Sequence, residues 1–429
     1  MDSKILIILP LGLILVSLLF FSRGILIFLT ILCLEIVAIQ FAGIGKIALQ
    51  LRWVFFAFLS FYAFGDILLG RTVRKIKSFD IIAIFFIIYA FLSSFYSPFP
   101  SLTLERTATI LALYICIFWI IWKYAYEQSP EKVVRLILSV LWPLFTLGYL
   151  MIFIGPYRPF LAGRFTGIFA NPNSLGLLSA IILPISLWHF LETKKKSALL
   201  FFLMILLGLL FSAARGSLNA TAFALGYFIY ASSKKYKPFI FFSLTSFILI
   251  LGLVIETFIK QYFMDYIRSE NIPILGGRLN IWPVALDSII DKPIFGYGFG
   301  VEDKILGLKN VIFLKQHAGI SAHNSYLGML LQLGLFGFII FFIPLFMLLF
   351  KELFLRQEGE ATSLLRHALC ASLIAGLICC IYESWIYSVG NSFVLPFWIL
   401  VMLLVFYRYK DKEEIMQGKD KEKIMLEGT

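Results

Sequence analysis

Residues Leu335 to Phe350 read LFGFIIFFIPLFMLLF, sixteen positions without a charge. A helix needs about 20 consecutive apolar residues to cross the roughly 30 Å hydrocarbon core of a bilayer. Flanking apolar and aromatic residues supply the missing length, so a span is expected over 324–350. Ile81 to Phe95, IIAIFFIIYAFLSSF, is a second run of the same kind. Further spans are expected near 5–21, 24–43, 52–69, 104–122, 133–154, 174–191, 197–213, 216–232, 237–257, 363–388 and 391–408. The first three are crowded and one of them is partial or re-entrant, which leaves about twelve.

Composition agrees. Of 429 residues 60% are hydrophobic and 14% charged, with mean hydropathy +0.92. A soluble domain carries about 25% charged residues. Such a chain cannot cover itself with polar surface in water. The expected fold is therefore all-α: a polytopic integral membrane protein with one large extramembranous loop. Its divisions are N-terminal transmembrane helices (1–257), the loop (258–322), C-terminal transmembrane helices (323–409) and a charged, disordered tail (410–429).

The net charge is +12, from 37 Lys+Arg against 25 Asp+Glu. The basic residues lie in short loops between apolar runs, as in membrane proteins with basic cytoplasmic loops, so no nucleic-acid partner is expected. Arg71, Arg74, Lys75 and Lys77 form one cluster, Lys194 to Lys196 a second, and Lys234, Lys235 and Lys237 a third. Lys351, Arg356 and Arg366 form a fourth, and the tail from Lys410 a fifth. All five fall on one side, expected to be the cytoplasm. Cys33, Cys116, Cys370, Cys379 and Cys380 sit inside apolar runs without metal-ligand spacing and read as small core residues. The N-terminus, with Lys4 before an apolar stretch, lacks a small-residue cleavage site and reads as a retained span.

The opposite face holds the candidates for chemistry. Arg215 lies in Ser212-Ala-Ala-Arg215-Gly216-Ser217, between two apolar runs. There an arginine either snorkels or meets water, a cavity or an anion; Gly216 allows close approach and favours the second. Arg278 follows Gly276-Gly277 and opens an amphipathic helix from Leu279 to Ile290. A cation at a helix N-terminus opposes the macrodipole, unless an anion is shared with the helix end. His323 lies where the large loop re-enters the membrane, and an imidazole can accept a proton from a hydroxyl nucleophile. His317 is a competitor without comparable context, and His189 and His367 fall on the other side. Arg164 and Asn173 share another outer loop, where Asn173 or Ser174 could equally cap the following helix. No paired carboxylates, P-loop, dinucleotide signature or Asp-rich metal motif accompanies these residues. The set suits a diphosphate held by arginine while histidine activates an alcohol.

These residues also carry a resemblance. His323-Asn324, nine residues, then Gly334-Leu335-Phe336-Gly337 resembles the signature of bacterial O-antigen ligases. Gly277-Arg278-Leu279-Asn280-Ile281-Trp282 and Asp291-Lys292-Pro293-Ile294-Phe295-Gly296-Tyr297-Gly298 resemble the large periplasmic loop of the O-antigen ligase/polymerase superfamily. Ala214-Arg215-Gly216 and Asn171-Pro172-Asn173 match its earlier motifs. The similarity covers roughly 160–340.

The resemblance implies a GT-C-like glycosyltransferase of the bacterial inner membrane, with its active site facing the periplasm. The implied donor is an undecaprenyl-diphosphate-linked glycan, and the implied acceptor is lipid A–core oligosaccharide. His323, Arg215 and Arg278 match the catalytic residues, in an inverting displacement needing neither metal nor cofactor. Arg164, Asn173, Asn324, Tyr326 and Trp282 are expected to contact substrate. O-antigen polymerases and protein O-oligosaccharyltransferases, which use the same type of donor, stay open as alternatives. A transporter of lipid-linked sugars is the rival of another class.

Overall fold

A computed structural model describes residues 23–71, 76–154, 159–232, 278–309, 321–354, 363–388 and 391–427. The expected spans near 5–21 and 237–257 lie outside them, as do His317, Arg74, Lys75, Lys234, Lys235, Lys237 and Arg356.

Among the described residues the helices are α1 (Arg23–Val37), α2 (Ala42–Leu68), α3 (Ser78–Leu92), α4 (Pro100–Glu127), α5 (Pro130–Leu150) and α6 (Pro172–Thr193). They continue with α7 (Lys196–Ser212), α8 (Arg215–Ser232), α9 (Arg278–Asp291), α10 (Glu302–Leu308), α11 (Ser325–Phe354), α12 (Leu364–Cys379) and α13 (Val394–Glu427). The regular exception is a two-stranded hairpin, β1 (Phe160–Leu161) against β2 (Arg164–Phe165). Six of the helices, α2 to α6 and α11, are long and apolar enough to cross a membrane, and α7 and α12 are shorter apolar helices. The protein is a helical multi-pass membrane protein.

Local chemistry sets the boundaries. Proline opens α4, α5 and α6, at the one helical position where its missing N–H costs nothing. The Ser129 hydroxyl accepts from Lys132 N, and the Asn171 side chain from Asn173 N. Left-handed residues end α6 at Lys194 (φ 54°) and α7 at Ala213 (φ 48°). The turn after α7 is two residues long, so α7 and α8 form a tight hairpin. Gly176 of α6 admits it: a Cβ there would stand 2.4 Å from the Ala214 Cβ. Central α6 is buried along most of its length against α7, α8 and α12.

The expected span 324–350 is corrected. Gly334 has φ 61° and ψ −165°, and the chain reverses there. The Tyr326 ring lies 4.6 Å from Phe342 and 6.1 Å from Phe346, contacts a straight helix could not make. Residues 325–333 and 335–354 are thus antiparallel arms. The turn 293–298 supplies backbone partners at the bend: Leu335 N donates to Pro293 O (2.8 Å), and Leu331 O accepts from Tyr297 N (3.1 Å). His323, at the foot of the nine-residue first arm, is recessed about 14 Å from the bend along the bundle, at 1.5 Å rise per residue. The second arm exposes Leu335, Ile339, Ile343, Met347 and Phe350 as one apolar stripe, the pattern of a lipid-facing helix.

The basic loops that are described lie together at the end opposite His323. A buried triad sits there: Glu352 accepts from Arg366 (2.8 and 3.0 Å) and from Arg408 (3.0 Å). The backbone from Lys410 continues α13 to Glu427, where a disordered tail was expected.

Candidate functional site

Sequence reasoning missed the residue at the centre of the site. Glu383 follows α12, in a non-helical stretch that had been placed inside an apolar span over 363–388. Its Oε1 accepts from Arg278 Nη2 (2.9 Å) and from Asn173 Nδ2 (3.0 Å). Its Oε2 lies 2.8 Å from His323 Nδ1. Arg278 also donates through Nε and Nη2 to the Tyr382 carbonyl (3.0 and 2.8 Å). Arg164 donates Nη2 to Asn173 Oδ1 (2.6 Å) and Nε to Ser212 O (2.7 Å), which ties the end of α7 to the start of α6. Arg164, Asn173, Glu383, Arg278 and His323 are therefore one continuous network, assembled from five separate stretches of chain.

Arg215 opens α8 beside this network. Its neighbour Gly216 lies directly under Tyr382: an added Cβ would stand 2.4 Å from the Tyr382 Cγ. The close approach for which that glycine was singled out is thus made by the protein's own tyrosine. Four helices, α6, α8, α9 and α11, begin within side-chain reach of the 382–383 turn. Their electropositive ends converge there.

Burial alone would raise the Glu383 carboxyl. The hydrogen bond from His323, the charges of His323 and Arg278, and the Asn173 amide outweigh it and hold the group below its ordinary value of 4.5. An ionised carboxylate can only accept, so His323 Nδ1 carries the proton of their hydrogen bond. That tautomer leaves Nε2 as the basic nitrogen. Among the described residues Nε2 has no partner, and the imidazole is 40% exposed. His323 itself has φ 48°, a left-handed backbone costing a non-glycine residue about 1 kcal/mol.

The other residues expected to contact substrate have structural partners around His323. Asn324 caps α11, its Oδ1 accepting from Tyr326 N (2.9 Å) and Leu327 N (3.1 Å). The Tyr326 hydroxyl donates to Leu377 O (2.7 Å), between α11 and α12. Trp282 donates Nε1 to Ala322 O (3.0 Å) and so fastens α9 to the residue before His323. Among the described residues no three His, Cys, Asp or Glu side chains gather as a metal site.

A second carboxylate stands behind the site. Glu302, 6% exposed, accepts from Ala322 N (2.7 Å), Ser384 Oγ (2.8 Å), Tyr387 Oη (3.0 Å) and Gln332 Nε2 (3.2 Å). Burial pushes its carboxyl above the ordinary range, against the pull of the Ala322, Ser384 and Tyr387 hydrogen bonds and of His323. Glu302 lies within 258–322, the stretch expected to form the large loop. Glu383 carried a usable signal: an ionisable residue inside an apolar run marks a functional position by default.

Comparison with known proteins agrees with the resemblance read from the motifs. Residues 199–342 match the family described as O-Antigen ligase. That stretch contains Arg215, Arg278 and His323, whereas Arg164, Asn173 and Glu383 lie outside it. A "Putative polysaccharide ligase" of Rickettsia conorii is 27% identical over 258 residues, 56% of this chain and 60% of that protein. One of Rickettsia felis is 28% identical over 158 residues, 34% of this chain and 38% of the relative. One of Rickettsia typhi is 27% identical over 184 residues, 41% and 45% of the two chains. The chain thus spans three fifths of the first relative's length and less than half of the other two.

Proposed function

We propose that this chain, a relative of the O-antigen ligases through residues 199–342, transfers polysaccharide from undecaprenyl diphosphate to a sugar hydroxyl of lipid A–core oligosaccharide. The reading places it in the bacterial inner membrane with the His323 end facing the periplasm. One observation carries it. Three arginine-bearing segments and four helix N-termini surround a histidine whose Nδ1 is held by a carboxylate. Such a setting favours an anion beside a general base.

The chemistry follows from the charges. The donor diphosphate sits against the Arg278 and Arg215 guanidinium groups, with Arg164 holding the frame around them. The acceptor hydroxyl attacks the anomeric carbon from the face opposite the diphosphate, and His323 Nε2 takes the hydroxyl proton as the new C–O bond forms. The old C–O bond breaks, and its electron pair leaves on undecaprenyl diphosphate. The arginines and helix ends stabilise that growing charge, and the anomeric centre inverts. Glu383 keeps His323 in the tautomer with Nε2 basic and stabilises the imidazolium, the role of the carboxylate in a Ser-His-Asp triad. His323 then returns its proton to water. The positive charge comes from the protein, in a metal-independent, GT-C-like reaction.

Purified protein in lipid nanodiscs, given undecaprenyl-diphosphate-linked polysaccharide and lipid A–core, tests the reading. Wild-type protein should form the conjugate, and His323→Ala should lose about 10²- to 10⁴-fold in kcat, the usual contribution of a general base. Full-rate transfer by His323→Ala overturns the assignment of the base. Glycan joined to a second lipid-linked glycan or to protein would reassign the acceptor. Movement of the donor across the membrane without conjugation would make the protein a transporter.

A further inference from the structure

His323 is gripped on both sides by one buried carboxylate. On its N-terminal side, Ala322 N donates directly to Glu302 Oε1 (2.7 Å). On its C-terminal side, Asn324 N donates to Ser384 Oγ (3.1 Å), and Ser384 Oγ donates to that same Oε1 (2.8 Å). Between the two, His323 adopts φ 48°. A residue in that region relaxes unless its surroundings over-determine it, and the two flanking N–H groups are the handles by which Glu302 does so. Ser384 also adjoins Glu383 in sequence, so one carboxylate sets the spacing between the imidazole and its orienting partner. Tyr387 and Gln332 donate to the other oxygen, Oε2 (3.0 and 3.2 Å), which takes no part in the two handles on His323.

We propose that Glu302 is a positioning residue for the transfer reaction, locking His323 in its left-handed conformation with Nδ1 on Glu383. The inference rests on the transfer reading above and adds a residue of the large loop to it. Glu302 is 6% exposed and acts through Ala322 and Ser384.

Three variants in the nanodisc assay test it, with the same lipid-linked polysaccharide and lipid A–core and with melting midpoints recorded in parallel. Glu302→Gln keeps the volume but leaves one acceptor oxygen for four donors. Its kcat should fall about tenfold to a hundredfold, as small displacements of a reacting group do. Its KM for the donor should stay within about twofold, because ground-state binding is untouched. Ser384→Ala, which cuts the grip on Asn324 alone, should lower kcat in the same way by about threefold or more. Tyr387→Phe loses only a donor to Oε2 and should keep kcat within about twofold. The inference is overturned if Glu302→Gln retains its kcat, if the donor KM rises in step with the loss, or if Tyr387→Phe loses as much as Ser384→Ala. Should Glu302→Gln not fold, Ser384→Ala against Tyr387→Phe decides. Wild-type protein that transfers nothing overturns the transfer reading and this inference together. Active wild-type protein with an unaffected Glu302→Gln variant overturns this inference alone.

Discussion

Glu383 governs what the imidazole of His323 can do. It accepts from Nδ1, so a neutral ring keeps Nε2 as its basic nitrogen, the atom to which the proposed transfer assigns the acceptor hydroxyl. Glu383→Gln keeps the shape but presents either an amide N–H or a weaker acceptor to Nδ1. Transfer should fall by about 10²-fold or more, as when a catalytic histidine loses its orienting carboxylate. Single-turnover kinetics with the lipid-linked donor would show it, and an unchanged rate would remove Glu383 from the mechanism. The same residue sets a pH dependence. Its folded-state value lies below the ordinary 4.5, so its stabilising contribution is present above pH 4.5 and is lost as pH falls through the folded value. Thermal unfolding of the wild type should therefore show an acid-side loss of stability that is smaller in Glu383→Gln. The neighbouring carboxylate Glu302 runs the other way. Its raised value favours stability at low pH, lost as pH rises through the folded value. Comparing both variants with the wild type across the acid range separates the two contributions.

At the scale of elements, the hairpin within α11 delivers His323 to its depth. Gly334 combines φ 61° with ψ −165°, a conformation essentially confined to glycine. An added Cβ would stand 2.2 Å from the Ile294 carbonyl oxygen. Gly334→Ala therefore meets both backbone strain and the turn 293–298, and should lose at least about 2 kcal/mol of stability. A melting curve in detergent measures this, and a wild-type midpoint would show that the bend tolerates a side chain. The Gly-x-x-Gly signature gains a physical meaning from this bend. It is where a re-entrant arm turns back and where the large loop docks on it. The length of the apolar stretch was legible, since Leu335 to Phe350 needs a bilayer. The reversal was not: residues 325–333, despite Ser325 and Gln332, are apolar enough to run on into the span that follows, and hydropathy carries no information about direction.

At the scale of the whole molecule, charge separates the two ends of the bundle. The end opposite His323 is stapled by Glu352 between Arg366 and Arg408, with Glu352 and Arg366 2% and 1% exposed. Glu352→Gln leaves Arg366 buried without its counter-charge and should destabilise the protein by about 3 kcal/mol, the cost of breaking a buried pair. Because the triad stands at the far end of the bundle, kcat per folded molecule should stay near wild type. A fall in kcat per folded molecule would mean that the two ends are coupled. The His323 end is organised differently, with arginines and helix N-termini gathered around few carboxylates. That contrast gives a multi-pass protein one end suited to holding an anion.

By itself the sequence determined that this chain is built of apolar, membrane-spanning helices, and that Arg215, Arg278 and His323 lie in motifs that resemble those of the O-antigen ligases. Those conclusions rest on apolar run length and on local motifs, both of which can be read along the chain. Only the tertiary structure decided that Glu383 meets His323, that Glu302 meets the Ala322 N–H and the Ser384 hydroxyl on either side of it, that Asn324 caps α11, and that a single apolar stretch folds back on itself. Glu383 is 60 residues from His323 and 210 from Asn173. A hydrogen bond depends on distance in space, and no periodicity of the chain encodes which distant helix ends will meet.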